Sequence, residues 1–215
     1  MFIMNIQELP KTIPVFPLSN FIMFPGSSVP LNIFEPRYLQ MVNDSMKKSR
    51  IIGMIQPKKS GNLKNPDLYG VGCIGKITSF NETEDGRILI ILNGISRYKI
   101  LNEVNNDKLY RECDVSYQNY SSDLDDKVKL QNSDINLILE NLKIFFKKQG
   151  YIVNINDLKK KNLNDTLNDI SMASPFSLEE KQILLESTDI NIRKKNMEQI
   201  LNNYIKDDFK NTTIQ

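Results

Sequence analysis

The stretch Gly70-Val71-Gly72-Cys73-Ile74-Gly75-Lys76-Ile77-Thr78-Ser79-Phe80-Asn81 decides the fold, because it admits two incompatible readings. It satisfies both G-x-G-x-x-G and G-x-x-x-x-G-K, the patterns of dinucleotide and phosphate loops. A phosphate loop runs from a strand into a helix N-terminus and follows its Lys with Ser or Thr for magnesium. Here Ile77 follows Lys76, and the β-like run to Asn81 leads to Asp85-Gly86, a hairpin signal in which Gly accepts positive φ. No helix dipole would face a phosphate. The glycines are therefore read as places where a strand bends and packs closely, and no cofactor is expected.

Working outward, Thr12–Leu18, Val29–Phe34, Ile51–Gln56, Ile88–Asn93, Ser96–Leu101 and Leu109–Gln118 join Tyr69–Phe80 as predicted strands. The clearest is the last, where Cys113, Val115 and Tyr117 alternate with Glu112, Asp114 and Ser116, the pattern of a strand with one buried face. One helix interrupts them. Pro36 suits its first position, Leu39, Val42 and Met46 recur at helical spacing, and Lys47, Lys48 and Arg50 favour the C-terminal end of its dipole. Lys58, Lys59 and Ser60 fall in a polar Gly/Asn/Pro stretch read as a loop.

Beyond residue 118 the pattern becomes helical. Ile135, Ile138, Leu139, Leu142, Phe145 and Phe146 form a stripe ended by Gly150, and a shorter helix holds Leu163, Leu167 and Ile170. Ser177 with Glu180 is a capping box, and Met197, Ile200, Leu201, Tyr204, Ile205 and Phe209 mark a final helix. The expected division is a β-rich domain over 1–118 and a helical one over 119–215.

Composition narrows the function. The 215 residues contain no histidine, which removes His-based triads, His metal ligands and the usual general base near neutral pH. Two cysteines, Cys73 and Cys113, lack C-x-x-C spacing and are read as reduced core thiols, with no metal site. A Ser–Lys dyad would need no histidine, but Ser27, Ser28 and Ser60 stand among turn residues. A net charge of +2 lacks the basic excess of a dedicated nucleic-acid binder, and Lys159–Lys161 and Arg193–Lys195 are read as solvated faces. Met1 to Phe16 has no basic n-region, and no run approaches the roughly 18 apolar residues of a membrane helix. A cytoplasmic protein with no membrane partner is expected.

What remains is an apolar surplus near the start. Phe16, Phe21, Ile22, Met23, Phe24 and Phe34 crowd a stretch punctuated by Pro14, Pro17, Pro25 and Pro30. Pro17 and Pro25 bracket a segment that cannot continue a central strand and belongs at the surface. Phe21, Ile22 and Met23 are therefore expected to be partly exposed and, with Met54 and Tyr69, to form an apolar substrate-binding face suited to adaptable recognition.

The ordered series Ile13-Pro14-Val15-Phe16-Pro17-Leu18, Phe24-Pro25-Gly26, Val29-Pro30-Leu31-Asn32-Ile33-Phe34-Glu35-Pro36-Arg37-Tyr38, Ile52-Gly53-Met54, Gly72-Cys73-Ile74-Gly75 and Gly94-Ile95-Ser96-Arg97-Tyr98 resembles the N-terminal substrate-binding domain of Lon proteases. Leu178 to Glu186 resembles the helical portion that follows it in that family. The resemblance implies an α+β fold, a PUA-like β pseudo-barrel with one interrupting helix followed by a C-terminal helical bundle. It implies a non-catalytic, stand-alone module that engages unfolded or apolar polypeptide segments as an adaptor in protein quality control, with a protease or chaperone as a further partner. It implies no enzyme, since the ATPase and Ser–Lys protease modules of full Lon are not in this chain. An RNA-binding PUA-like module, resting on Lys58, Lys59 and Lys64 near Tyr69, is the alternative. Glu35 with Arg37 or Arg97 is expected to form a charged pair fixing helix to sheet.

Overall fold

Val71 to Glu82 is strand, and Tyr98 shows why Gly72 is there. The computed structural model describes residues 6–62, 65–124, 135–152 and 154–211. A Cβ on Gly72 would stand 2.3 Å from the Met54 carbonyl oxygen and 2.7 Å from the Tyr98 hydroxyl, and one on Gly53 would stand 2.7 Å from that same hydroxyl. The fully buried phenol lies across both glycines, and its hydroxyl donates to the Met54 carbonyl at 3.2 Å. Close approach of the Tyr98 ring, and at Gly72 of the Met54 carbonyl, accounts for these two glycines.

The chain divides into two units, Met1–Asp125 and Asp126–Gln215. The first contains β1 (Thr12–Pro17), β2 (Ser28–Ile33), α1 (Pro36–Met46), β3 (Ile51–Ile55), β4 (Pro57–Asn62), β5 (Asn65–Leu68), β6 (Val71–Glu82), β7 (Ile88–Val104) and β8 (Glu112–Ser116). Six of these strands form one sheet in the order β2-β7-β6-β3-β1-β8. Strands β1 and β3 run parallel, Val15 opposite Gly53, and the other pairs are antiparallel. The first half of β7 pairs with β2, and its second half pairs with β8 from Lys99 opposite Ser116 to Val104 opposite Glu112. The pairing thus returns on itself while β2 stays outside the circuit as an edge. That is the expected α+β pseudo-barrel rather than a true closed barrel. Ile13, Val15, Ile51, Ile74, Tyr98, Cys113 and Val115 fill it.

Two local expectations change. Ile88–Asn93 and Ser96–Leu101 are one long strand, bent by a bulge where Ile74 pairs with Ser96 but Gly75 pairs with Gly94. The polar stretch after Gln56 is a separate two-stranded ribbon, β4 with β5, rather than a loop. Helix α1 starts at Pro36 as expected, but buries Tyr38, Met41, Val42 and Ser45. Tyr38 meets Phe16 of β1 with ring centroids 4.2 Å apart.

Arg97 does not reach Glu35. Its guanidinium lies against Asp123, with Nη2 2.7 Å from Oδ1 and Nε 2.9 Å from Oδ2, and the side chains are 2% and 1% exposed. The Arg97 backbone N–H donates to the same carboxylate, and Tyr120 stacks on the guanidinium at 4.5 Å. These contacts hold the 3-10 segment Gln118–Leu124 against β7. Glu35 pairs with Arg37 at the surface, at 2.8 Å.

The second unit holds α2 (Asn136–Lys148), α3 (Leu163–Ala173), α4 (Leu178–Glu186) and α5 (Ile190–Asn211). Gly150, at φ 80°, follows α2. Phe145 of α2 meets Phe176 and Tyr204, at 5.7 and 5.2 Å, and Met197 and Leu201 of α5 are buried. Ser177 and Glu180 form the capping box in both directions. Lys159, Lys160 and Lys161 are solvated as expected, but Arg193 is buried and donates to Asn168, because the first turn of α5 turns that side inward.

Candidate functional site

Strand β7 begins with five apolar residues, Ile88-Leu89-Ile90-Ile91-Leu92, and a strand must send alternate side chains to opposite faces. Ile88, Ile90 and Leu92 enter the core, leaving Leu89 and Ile91 outside at 42% and 39% exposure. Register supplies their neighbours. Pro30 of β2 and Ser79 of β6 flank Ile91, while Asn32 and Asn81 flank Leu89. These residues line a shallow groove of about 400 Å³. Its floor is apolar, and its sides carry two exposed carboxamides able to donate to and accept from an extended backbone.

A second concavity, about 470 Å³, shares Asn32 and Leu89 and continues to the β6–β7 turn, where Thr83, Glu84, Asp85 and Arg87 line it. The turn is well built. Gly86 takes φ 79°, and the Thr83 hydroxyl donates to Asp85 at 2.5 Å. Arg87 pairs with Asp85 at 2.9 Å. The Thr83 hydrogen bond, then the contacts with Arg87, hold the Asp85 carboxyl below the usual carboxylate range. The free edge of β2 carries Pro30, which has no N–H to offer an added strand.

The helical unit has its own concavity of about 680 Å³, lined by Leu142, Phe146, Tyr151, Ile152, Ile170 and Pro175 among others, with Lys161 and Asp169 ion-paired at its rim. No group of His, Cys, Asp and Glu able to hold a metal occurs among the described residues. Both thiols are buried and neither is in a disulfide, and burial pushes the Cys113 thiol up to about 11. Lys76 lies exposed on a strand with no helix after it.

Compared with known proteins, the chain matches the family described as the ATP-dependent protease La (LON) substrate-binding domain over residues 12–203. The chain belongs to the Lon substrate-binding-domain family. The Lon protease of Desulfosudis oleivorans is 25% identical over 217 residues, covering 93% of this chain and 25% of that protein. That of Parabacteroides distasonis is 34% identical over 106 residues, 48% of this chain and 13% of that protein. The chain thus spans about a quarter or less of the length of these curated relatives. Among solved structures, the Lon N-terminal domain protein from Xanthomonas campestris gives a TM-score of 0.64 at 20% identity, covering 89% of this chain and 97% of that one. The N-terminal domain of Mycobacterium avium complex Lon protease gives 0.65 at 15% identity, covering 89% and 98%. These likenesses bear out the fold.

Within this Lon-type domain the residues expected to form the binding face are only partly at the surface. Phe21 and Tyr69 are half-buried, and Gln56 ties the Tyr69 backbone to the loop that carries Phe21: its carbonyl accepts the Tyr69 N–H at 3.0 Å while its side chain donates to the Ser19 carbonyl at 2.8 Å. Ile22, Met23 and Met54 are buried, at 5%, 1% and 2% exposure, against the expectation for Ile22 and Met23 of partial exposure. The segment after Pro17 folds back over the sheet instead of standing clear. Met23 Cε comes so close to Gly75 that a Cβ there would lie 2.9 Å away, and Met54 sits within β3, buried along its whole length. Leu89 and Ile91 were hidden from sequence reading because an unbroken apolar run has no period of two and reads as buried on both faces. Lys58 and Lys59 are exposed, with Lys58 6.0 Å from the Tyr69 ring. Lys64 lies outside the described residues.

Proposed function

We propose that this Lon-type domain is a non-catalytic polypeptide-binding module that engages apolar segments of unfolded chains, acting in the cytoplasm as an adaptor in protein quality control. Support comes from the outer face of β2, β7 and β6, where Leu89 and Ile91 stand exposed in a groove between the Asn32 and Asn81 carboxamides. An apolar floor with flanking amides suits an extended chain of mixed sequence, and it offers no nucleophile or acid–base pair for cutting one. Phe21 and Tyr69 serve as a second contact region in this reading. Ile22, Met23 and Met54 support it from within. A protease or chaperone would receive the bound client.

The test is fluorescence anisotropy with a labelled, chemically unfolded protein, comparing the native chain with Leu89→Ser/Ile91→Ser. Covering each remaining apolar surface contributes about 1 kcal/mol, so binding is expected to weaken about tenfold or more. Thermal stability should change little, because both side chains already face water. Unchanged affinity in the folded double variant removes the site. Binding that disappears on nuclease treatment would mean that nucleic acid carried it.

A further inference from the structure

Residues 18–24 lie between β1 and β2 and form no helix or strand, yet Ile22, Met23 and Phe24 are buried. The segment is pinned at its ends. At entry the Leu18 N–H donates to the Ile55 carbonyl at 3.0 Å, and Gln56 Nε2 donates to the Ser19 carbonyl at 2.8 Å. At exit the Gly26 N–H donates to the Gly94 carbonyl at 3.0 Å and the Gly94 N–H to the Ser27 carbonyl at 2.8 Å. Between these ties Asn20, Phe21, Ile22 and Met23 form no backbone hydrogen bond among the described residues, so side-chain burial holds the middle down. Its seat is a pair of glycines opposite each other in the ladder, Gly75 of β6 and Gly94 of β7. A Cβ on Gly75 would stand 2.9 Å from Met23 Cε, and one on Gly94 would strike the Phe24 carbonyl oxygen. Glycines so placed let another segment of chain lie close against a strand.

An irregular apolar stretch with an unpaired backbone, laid over a sheet, has the character of the unfolded segments taken as clients above. From this we infer that residues 18–24 are a strap, a tethered stand-in that occupies the seat at Gly75 and Gly94 until the apolar side chains of a client displace it. This rests on the polypeptide-binding reading and adds regulation to it. Lifting the middle of the strap breaks no backbone hydrogen bond within the described chain. It uncovers Ile22, Met23 and the glycine seat, and a client that fills the seat restores the buried apolar area. Ile22 and Met23 lie outside the cluster of Ile13, Val15, Ile74, Tyr98 and Cys113, so the strap can lift while that cluster stays closed. The Met23 thioether suits this part, being flexible enough to leave and refill an irregular slot.

The experiment measures alkylation of Met23→Cys in the full chain, with and without reduced, carboxymethylated α-lactalbumin, an unfolded protein that has no free thiol and whose binding is followed by fluorescence anisotropy. Saturating client should raise the rate at the new thiol severalfold, while the buried Cys73 and Cys113 stay protected. Gln56→Ala removes the tie to Ser19, and placed beside Met23→Cys it should speed client-free labelling and tighten client binding by about fivefold each, the scale of one hydrogen bond. Ile22→Cys carries the same measurement if Met23→Cys loses its native circular dichroism. Client binding that leaves the rate at the new thiol unchanged or lowers it, a rise shared by Cys73 and Cys113, or a Gln56→Ala chain that does not both label faster and bind more tightly overturns the strap and leaves polypeptide binding standing. Failure of the client to bind either the native or the Gln56→Ala chain overturns both.

Discussion

At the scale of single residues, two arginines of similar appearance in the sequence have opposite energetic weight. Arg97 is enclosed with Asp123 and Tyr120, whereas Arg37 meets Glu35 with both side chains almost half exposed. Removing one member of a buried pair strands the other charge, so Arg97→Ala should cost about 3–5 kcal/mol in urea unfolding. Arg37→Ala should cost at most about 1 kcal/mol. The same enclosure shapes the alkaline response. Burial raises Cys113 to about 11 and Tyr204 to about 12, above their values in an unfolded chain. Both groups bind their protons more tightly when folded. Their contribution is complete below about pH 9 and is lost as pH rises through 11 and 12. Unfolding followed by circular dichroism should show a stability plateau to about pH 9 and a decline above it, with Cys113 resisting alkylation until that decline begins.

Among the elements, α4 depends on few residues. Glu180 accepts from the Ser177 backbone N–H at 2.8 Å and from the Tyr204 hydroxyl at 2.8 Å, so one carboxylate both closes the cap and ties α4 to α5. Ser177→Ala removes only the cap and should cost about 1 kcal/mol. Glu180→Ala removes both bonds and should cost roughly twice that in thermal unfolding. This cap was legible from sequence because both partners lie three positions apart. Cys113, Val115 and Tyr117 were legible because an antiparallel strand with one wet face repeats every two residues. Of the two arginines offered to Glu35, Arg37 takes it, while the carboxylate of Arg97 lies 26 positions away, a spacing set by tertiary packing alone. The ribbon of β4 and β5 escaped because a run of Pro, Lys, Ser, Gly and Asn carries no alternation of apolar and polar residues. Leu89 and Ile91 escaped for the reverse reason, their apolar neighbours concealing which side is wet.

For the whole molecule, the sheet unit and the helical unit each have a core, and we propose that they unfold as separate domains. Calorimetry should then resolve two transitions, with Arg97→Ala lowering one and Glu180→Ala lowering the other. One transition shifted by both variants would mean a single cooperative body. The fold class was readable because local patterns agreed along most of the chain; the groove was not, since it forms only where β2, β7 and β6 come side by side. The outermost strand of that sheet has one further effect. With an imino acid in it, a neighbouring copy finds no continuous row of amides to zip onto. An edge interrupted in this way is a poor template for fibres of the chain itself, and Pro30 helps set how concentrated its solutions can become before they cloud.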